Sequence, residues 1–315
     1  MTERPSHWDE YTESYAGLPV AFSPLPEESS PPDVAAWRIH GSDWEHNDSP
    51  KRISESFDWF FEHVDTGKVT AIVIGGWEDS GDKDSGEIVA RLADNADRLP
   101  GLRSLFLGAM TPEENEISWI QQSDVTPLLK AYPRLERLEV RGGNGLGFEP
   151  VRHESLRTLR FESGGLPARV VRGVGDSDLP ALEHLEIWFG DENYGGDSRV
   201  TDCAAVLTGE RLPALRYLGL QNCPFADDLA AALAAAPVVA RLEELNLSMS
   251  AFGDAGAEAL LSGQPLTHLR RLDLDHHFVG EEMMARLVAA LPGVEVLLTD
   301  RQSSHGDWLY VAVGE

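Results

Sequence analysis

Cysteine and positive charge are both scarce in this chain. Only Cys203 and Cys223 occur among 315 residues, too few for a disulfide framework, and we expect each to be a small buried residue rather than a reactive one. Lysine and arginine number 26 against 53 aspartates and glutamates, so the formal net charge is −27. Such a charge repels the backbone of nucleic acids and the surface of anionic membranes. We therefore expect neither nucleic acid nor a membrane as a partner.

Long apolar runs are missing as well. The stretch MTERPSHWDEYTES lacks the apolar core of a signal peptide, and no uninterrupted apolar run is long enough to span a bilayer. Hydrophobic residues nevertheless make up 42% of the chain, an ordinary share for a protein with a folded core. Together these features predict a cytoplasmic protein; they leave its oligomeric state open.

Signatures of catalysis are also absent. The chain contains no G-x-S-x-G, no H-E-x-x-H and no paired C-x-x-C. GGNGLG at 142–147 has the composition of a phosphate-binding loop, but Phe148-Glu149-Pro150 follows it instead of a helix N-terminus, which favours a tight turn. We therefore assign no catalytic residue and no cofactor, and we expect the protein not to be an enzyme.

What the sequence does contain is a repeat. The pattern L-x-x-L-x-L begins at Leu242 and again at Leu269, 269 − 242 = 27 residues later, with a helix-like segment between the two copies. Since side chains alternate between the two faces of a strand, Leu245 and Leu247 point into the body of the protein together. This spacing is typical of a leucine-rich repeat, which contributes one strand and one helix per unit.

Related patterns run along most of the chain, and the last of them, Val294-x-x-Leu297-x-Thr299, is degenerate. One unit cannot bury its apolar stripe alone, whereas stacked units form a continuous core and a curved parallel sheet. The sequence therefore predicts an α/β fold, a leucine-rich-repeat solenoid (horseshoe) with about ten parallel strands on its concave face and helices and loops on its convex face. The predicted strands begin at Val34, Val69, Leu102, Leu135, Leu156, Leu182, Leu215, Leu242, Leu269 and Val294.

We expect a single domain over 1–315. An N-terminal cap at 1–32 and a C-terminal cap at 303–315 should enclose the repeats at 33–302, because an open solenoid must cover its terminal units. The apolar residues of these caps include Trp8, Tyr11 and Trp308.

Convex helices follow several of the predicted strands. Gly67 should end the first helix, and Trp119 and Ile120 should anchor the long connection after the third strand. The fourth and fifth strands begin only 156 − 135 = 21 residues apart, which leaves hardly any room for a helix between them. The predicted helices are 54–64, 87–98, 200–208, 226–236, 254–262 and 281–291.

The mixed repeat lengths and alternating helices resemble leucine-rich repeats of the ribonuclease-inhibitor type, most closely over 213–292. Three segments, EISWIQQSDVTPLL, FESGGLP and GQPLTHLRRLDL, resemble an uncharacterised bacterial leucine-rich-repeat family. Members of that family are similar to accessory proteins encoded beside radical-SAM and ATP-grasp-like enzymes. The resemblance implies a role in modifying a peptide or a small metabolite, and it implies no catalytic residues.

The outward strand positions supply a candidate binding site. Aligning the repeats places Trp188, His184 and Tyr217 side by side around Gly219, which has no side chain. Exposed aromatic side chains on a concave face are typical of interface hot spots. The alternative is that Trp188 packs against the loop at 190–199. The predicted binding residues for a protein or peptide are Trp188, Tyr217, His184, Arg160, Glu186, Asn246 and Asp273.

Charge should be unevenly distributed along this face. The alignment places basic residues to one side of the aromatic centre and acidic residues to the other, which would suit a peptide or protein segment. The basic residues are Arg137, Arg141 and Arg160, and the acidic residues are Glu244, Asp273 and Asp275.

Two other functions stay open. One is an enzyme or enzyme subunit that uses surface carboxylates and histidines such as His184, Glu186 and Asp273, which would require a deep pocket and shifted pKa values. The other is a scaffold that binds through its convex or lateral surface.

Two segments have side chains that can bind metal ions. The acidic residues at 79–87 lack the spacing of an EF-hand loop. His276 and His277 are adjacent on a strand and should face opposite sides, which makes one shared ion awkward. We therefore predict no metal site.

Overall fold

The computed structural model describes residues 13–23, 33–41, 52–304 and 309–314. Within these ranges the strands form one sheet whose spatial order follows the chain, from β1 to β12. β1 pairs antiparallel with β2, and every later pair of neighbours is parallel. The strands are β1 (Ser14–Tyr15), β2 (Leu18–Ser23), β3 (Ala36–Ile39), β4 (Ala71–Ile74), β5 (Ser104–Leu107), β6 (Arg137–Arg141), β7 (Thr158–Glu162), β8 (His184–Trp188), β9 (Tyr217–Gln221), β10 (Glu244–Asn246), β11 (Arg271–Asp273) and β12 (Glu295–Leu297).

Helices connect many of these strands on the opposite side of the sheet. They are α1 (Ile53–His63), α2 (Gly86–Asp94), α3 (Thr126–Ala131), α4 (Ala168–Asp176), α5 (Ala204–Thr208), α6 (Ala226–Leu233), α7 (Asp254–Ser262) and α8 (Glu281–Ala290). Short 3₁₀ turns lie at Thr66–Lys68, Ala96–Arg98, Glu192–Tyr194, Val200–Cys203 and Pro237–Arg241. In the described ranges no helix is both long enough and apolar enough to cross a membrane. This architecture confirms the predicted α/β leucine-rich-repeat solenoid.

The repeated leucines form the core between the sheet and the helices. In adjacent repeats Leu218, Leu245 and Leu272 lie in register, and each is fully buried. Each inward side chain therefore stacks on its counterpart one strand away, about 4.8 Å distant. After β9 the chain turns at a residue with positive φ, Asn222, and the same turn recurs at Met249 and His276 in the next two repeats.

The last strand has a different register from the one predicted. Glu295 pairs with Arg271, so Val296 and Leu298 point inward and Leu297 lies on the concave side. The predicted inward residues were Leu297 and Thr299, and that prediction is wrong. In the observed register Gly293 occupies the first position of the repeat pattern, where most other repeats carry leucine. Because glycine does not match that pattern, the sequence suggested a start one residue later, at Val294. A shift of one residue moves every side chain of a strand to the opposite face.

The N-terminal hairpin begins the sheet earlier than predicted. β2 pairs in parallel with β3, and β1 folds back so that Tyr15 covers part of the concave face. The Tyr15 ring packs on Phe106 at a centroid distance of 6.0 Å. Trp8, Tyr11 and Trp308 lie outside the described residues, and the cap boundaries stay predictions.

The helices agree with the predictions in most places. As expected, no helix lies between β6 and β7. α1 ends at His63, with Val64 already extended, so the prediction that Gly67 ends it is wrong. α4 was not predicted, because its two glycines weaken the helical pattern although three of its valines are buried. Ile120 is buried as expected, but Trp119 is 51% exposed and does not anchor its connection.

Candidate binding groove on the concave face

A groove of about 700 Å³ runs over the concave side of β6 to β11 and reaches Asp300, which follows β12. It lies beyond the part of the sheet that Tyr15 covers, and most of the residues that line it are polar. All seven predicted binding residues line the groove: Arg160, His184, Glu186, Trp188, Tyr217, Asn246 and Asp273. The repeat therefore brings these residues together as the alignment predicted, although their exposure differs.

The centre of the groove is a stacked pair of rings. The His184 and Tyr217 rings are parallel within 4°, with centroids 3.8 Å apart. Asn246 Nδ2 donates a hydrogen bond of 3.0 Å to the Tyr217 hydroxyl oxygen. A Cβ atom at Gly219 would lie 3.1 Å from Tyr217 Cε1, so the glycine allows the ring to rest against the floor of the groove. His184 and Tyr217 are both half-buried, so part of this ring pair faces the groove.

Glu186 is the centre of an ionic network beside the rings. Its carboxylate accepts a hydrogen bond of 2.8 Å from Trp188 Nε1 and lies 3.4 Å from His184 Nε2. Arg160 Nε lies 3.3 Å from Glu186 Oε1, within ion-pair distance but without hydrogen-bond alignment. Burial alone would raise the pKa of Glu186, but Arg160, His184 and Trp188 outweigh it and lower the pKa to about 2. Glu186 is therefore ionised, and its carboxylate oxygens already contact partners within the protein.

Trp188 is not an exposed hot spot. Only 4% of its surface is accessible, and it packs in a small cluster with Ile117 and Val313, with Met249 beside them. The prediction that Trp188 is exposed on the concave face is therefore wrong. Ile117 and Val313 are remote from Trp188 in the sequence, and the predicted alternative cover, the loop at 190–199, is not part of this cluster.

The residues that cover Trp188 belong partly to the segment 309–314, which we call the strap. The strap crosses the carboxyl ends of β9, β10 and β11 without forming a strand. The Ala312 N–H donates to the Met249 carbonyl over 2.9 Å, and His276 Nε2 lies 3.2 Å from the Tyr310 carbonyl. Ala312 also lines the groove, so the strap forms part of its wall.

Arg141 differs from the other predicted basic residues. Its side chain is 1% exposed, and it donates to Glu162 Oε2 over 2.6 Å and to the Met110 carbonyl over 2.5 Å. Arg141 is therefore part of the buried structure, and its prediction as a groove residue is wrong. Arg137 and Arg160 stay at the surface of the groove, partly exposed.

Gln221 is a groove residue that the sequence did not single out. It is 5% exposed, and its Nε2 donates to Ser248 Oγ over 3.1 Å, while its Oε1 has no hydrogen-bond partner. The only signal for it in the sequence is that its repeat carries a polar residue at the outward strand position that Trp188 and Ser248 occupy in the neighbouring repeats.

The other candidate sites supply no converging ligands. Lys83 pairs with Asp79 over 2.7 Å in the acidic loop. The Val279 N–H donates to His277 Nδ1 over 3.0 Å. In the described ranges no group of three or more histidine, cysteine, aspartate or glutamate side chains has a geometry that could hold a metal ion. Burial raises the pKa of the Cys203 thiol to about 12 and that of the Cys223 thiol well above its usual value.

Comparisons with known proteins support the fold. A crystal structure of a Bacteroides fragilis protein is similar to this chain, with a TM-score of 0.73 and 29% sequence identity over 79% of this chain and 70% of the other. An internalin of Listeria monocytogenes gives a TM-score of 0.39 and 16% identity over 75% of this chain and 55% of its own, too weak a likeness to carry an argument. No protein-family model and no curated protein sequence matches the chain.

Proposed function

We propose that this protein is a non-enzymatic binding module whose concave groove holds an extended segment of a protein or peptide. The observation that carries the proposal is the half-buried His184–Tyr217 pair at the centre of a groove lined mostly by polar residues. Aromatic side chains offer large contact area with few rotatable bonds, which is why they are frequent at interface hot spots.

The length of the groove favours an extended segment over a compact ligand. It spans β6 to β11, and five strand spacings of about 4.8 Å give roughly 24 Å, the length of about seven extended residues. A segment lying across the sheet would meet each strand's outward side chains in turn. Asn246 and Asp273 would then serve as polar contacts on one side of the rings, and Arg160 on the other.

Trp188 has a supporting role in this proposal. It would hold the carboxylate of Glu186 in place through its Nε1 hydrogen bond and would support the strap from below. The resemblance to accessory proteins of radical-SAM and ATP-grasp-like enzymes makes such an enzyme, or its peptide substrate, the class of partner to look for.

The alternative, an enzyme that uses His184, Glu186 and Asp273, has less support. A carboxylate whose pKa is lowered to about 2 is a poor proton acceptor near neutral pH. Glu186 also has three neighbours that already bind its oxygens.

Affinity capture from native lysate, read by mass spectrometry, tests the proposal. We would compare the wild type with the double variant His184→Ala, Tyr217→Ala and with the control Trp119→Ala, which removes an exposed aromatic ring outside the groove. A protein retained by the wild type and the control but lost by the double variant supports the concave groove. A protein retained equally by all three moves the binding surface elsewhere and contradicts the proposal.

A further inference from the structure

We propose that the groove recognises a cationic side chain, a lysine or an arginine of a basic partner segment, at the end formed by β9 to β11 and Asp300. This inference rests on the proposed function and adds the chemistry of the partner. It starts from the carbonyl oxygen of Gln221.

The side-chain oxygen of Gln221, Oε1, accepts no hydrogen bond from the described part of the protein. The residue is 95% buried (5% exposed), and its amide nitrogen is used by Ser248 while Oε1 has no partner. Buried acceptors are almost always paired, because leaving one unpaired costs free energy. Gln221 Oε1 lies 2.7 Å from the position that a Cβ atom on Gly219 would occupy, so it borders the bare floor of the groove. The oxygen has almost no accessible surface in this structure, so a donor from a bound segment would complete it after a rotation of the Gln221 side chain toward the groove.

The charge around this acceptor favours a donor that is also a cation. Among the described residues that line this end, four are carboxylates, against one arginine, Arg271, and one histidine, His276, although Glu244 is already paired with Arg270. The protein as a whole carries a net charge of −27, which attracts basic partners over a longer range. The four carboxylates are Glu244, Asp273, Asp275 and Asp300.

The opposite end of the groove does not favour an anion. Arg137 lies 2.7 Å from Glu139, and Arg160 is in ion-pair contact with Glu139, Glu162 and Glu186. These arginines are already neutralised by carboxylates of their own or neighbouring strands. An acidic segment would therefore gain little there and would be repelled at the other end.

The Tyr217 ring suits the same ligand. His184 stacks on one of its faces. The stem of a lysine or arginine can pack against an aromatic ring while its charged head reaches polar groups beyond it. A side chain placed in this way would lie between the ring, Gln221 Oε1 and Asp273.

Fluorescence anisotropy with labelled nonapeptides tests the inference. The three probes alternate serine with lysine, with glutamine or with glutamate, and each is titrated with the full chain at 0.15 M salt. We expect the lysine peptide to bind the wild type at least tenfold more tightly than the glutamine peptide. Gln221→Leu removes the acceptor without changing the net charge, and we expect it to weaken the lysine peptide by about tenfold, since a hydrogen bond to a charged group is being lost.

A matched pair of charge variants separates local recognition from general attraction. Asp273→Asn and Glu210→Gln each remove one negative charge, but Glu210 is exposed and lies outside the groove. We expect Asp273→Asn to weaken the lysine peptide about tenfold and Glu210→Gln to weaken it less than twofold. Thermal unfolding of each variant would confirm that it is folded. If Gln221→Leu is not folded, the comparison of Asp273→Asn with Glu210→Gln still tests the inference.

Several outcomes would overturn the inference. Equal affinity for the lysine and glutamine peptides, tighter binding of the glutamate peptide, equal losses in Asp273→Asn and Glu210→Gln, or no binding of the lysine peptide would each do so. If the glutamine or glutamate peptide binds and is lost in His184→Ala, Tyr217→Ala, the concave groove stands as a binding site and only its preference for cations is wrong.

Discussion

Asn222 and Val313 form two reciprocal hydrogen bonds. Asn222 Nδ2 donates to the Val313 carbonyl over 2.6 Å, and the Val313 N–H donates to Asn222 Oδ1 over 2.9 Å. Asn222 is fully buried and has a φ of +51°, a conformation that asparagine tolerates better than most residues. One turn residue of a repeat thus holds the strap against the end of the sheet and keeps Val313 over Trp188.

Replacing Asn222 should release the strap. We expect Asn222→Gly, which keeps the positive φ but removes both hydrogen bonds, to lower the free energy of unfolding by about 2 kcal/mol. Release of the strap would expose Trp188, so iodide should quench the tryptophan fluorescence of Asn222→Gly more than that of the wild type. When Trp188→Phe is present in both proteins, Asn222→Gly should not increase the quenching. Unchanged quenching would show that the strap does not depend on Asn222.

The burial of Trp188 predicts a change in stability when it is removed. Trp188→Ala would leave a cavity beneath Val313 and remove the Nε1–H bond to Glu186, so we expect a loss of about 3 kcal/mol in urea unfolding. Trp119→Ala removes an indole that is 51% exposed and should change stability by less than about 0.5 kcal/mol. Equal effects of the two substitutions would contradict the buried position of Trp188.

The ionic network around Glu186 predicts a dependence of stability on pH. The pKa of Glu186 is lowered from 4.5 to about 2 in the folded protein, because Arg160, His184 and Trp188 outweigh burial. The unfolded chain therefore binds the proton first as the pH falls. Stabilisation from this carboxylate is fully present above its unfolded pKa and is lost between about pH 4.5 and 2. Its full value is about 3 kcal/mol, since one pKa unit corresponds to about 1.4 kcal/mol.

Glu186→Gln isolates this contribution from the other carboxylates. We expect the difference in unfolding free energy between the wild type and Glu186→Gln to be largest near pH 6 and to shrink as the pH falls toward 2.5. The exposed control Glu210→Gln should show no such convergence. A difference that is constant with pH would mean that Glu186 is not held ionised by its neighbours.

The register of β12 can be tested with two adjacent leucines. Leu298 is buried and packs in the core, whereas Leu297 lies on the concave side and is only half-buried. We expect Leu298→Ser to lower the unfolding free energy by about 2 kcal/mol and Leu297→Ser by less than about 0.5 kcal/mol. The reverse order would support the register suggested by the sequence pattern.

The sequence alone was sufficient for the architecture of the central repeats. Alternation of buried and exposed side chains along a strand is a local property, and its recurrence at 242 and 269 places each new strand in register with the one before. For the same reason the alignment brought His184, Tyr217 and Asn246 onto neighbouring strands, where the structure has them.

Only the tertiary structure decided which of the aligned residues are accessible. Trp188 is covered by Val313, 313 − 188 = 125 residues away, and Arg141 is buried by its pairing with Glu162 on the next strand. Burial of an outward-facing side chain depends on segments that the repeat pattern does not describe. The unpaired oxygen of Gln221 is likewise a property of three-dimensional surroundings, since a hydrogen-bond partner is defined by distance and angle and not by position in the chain.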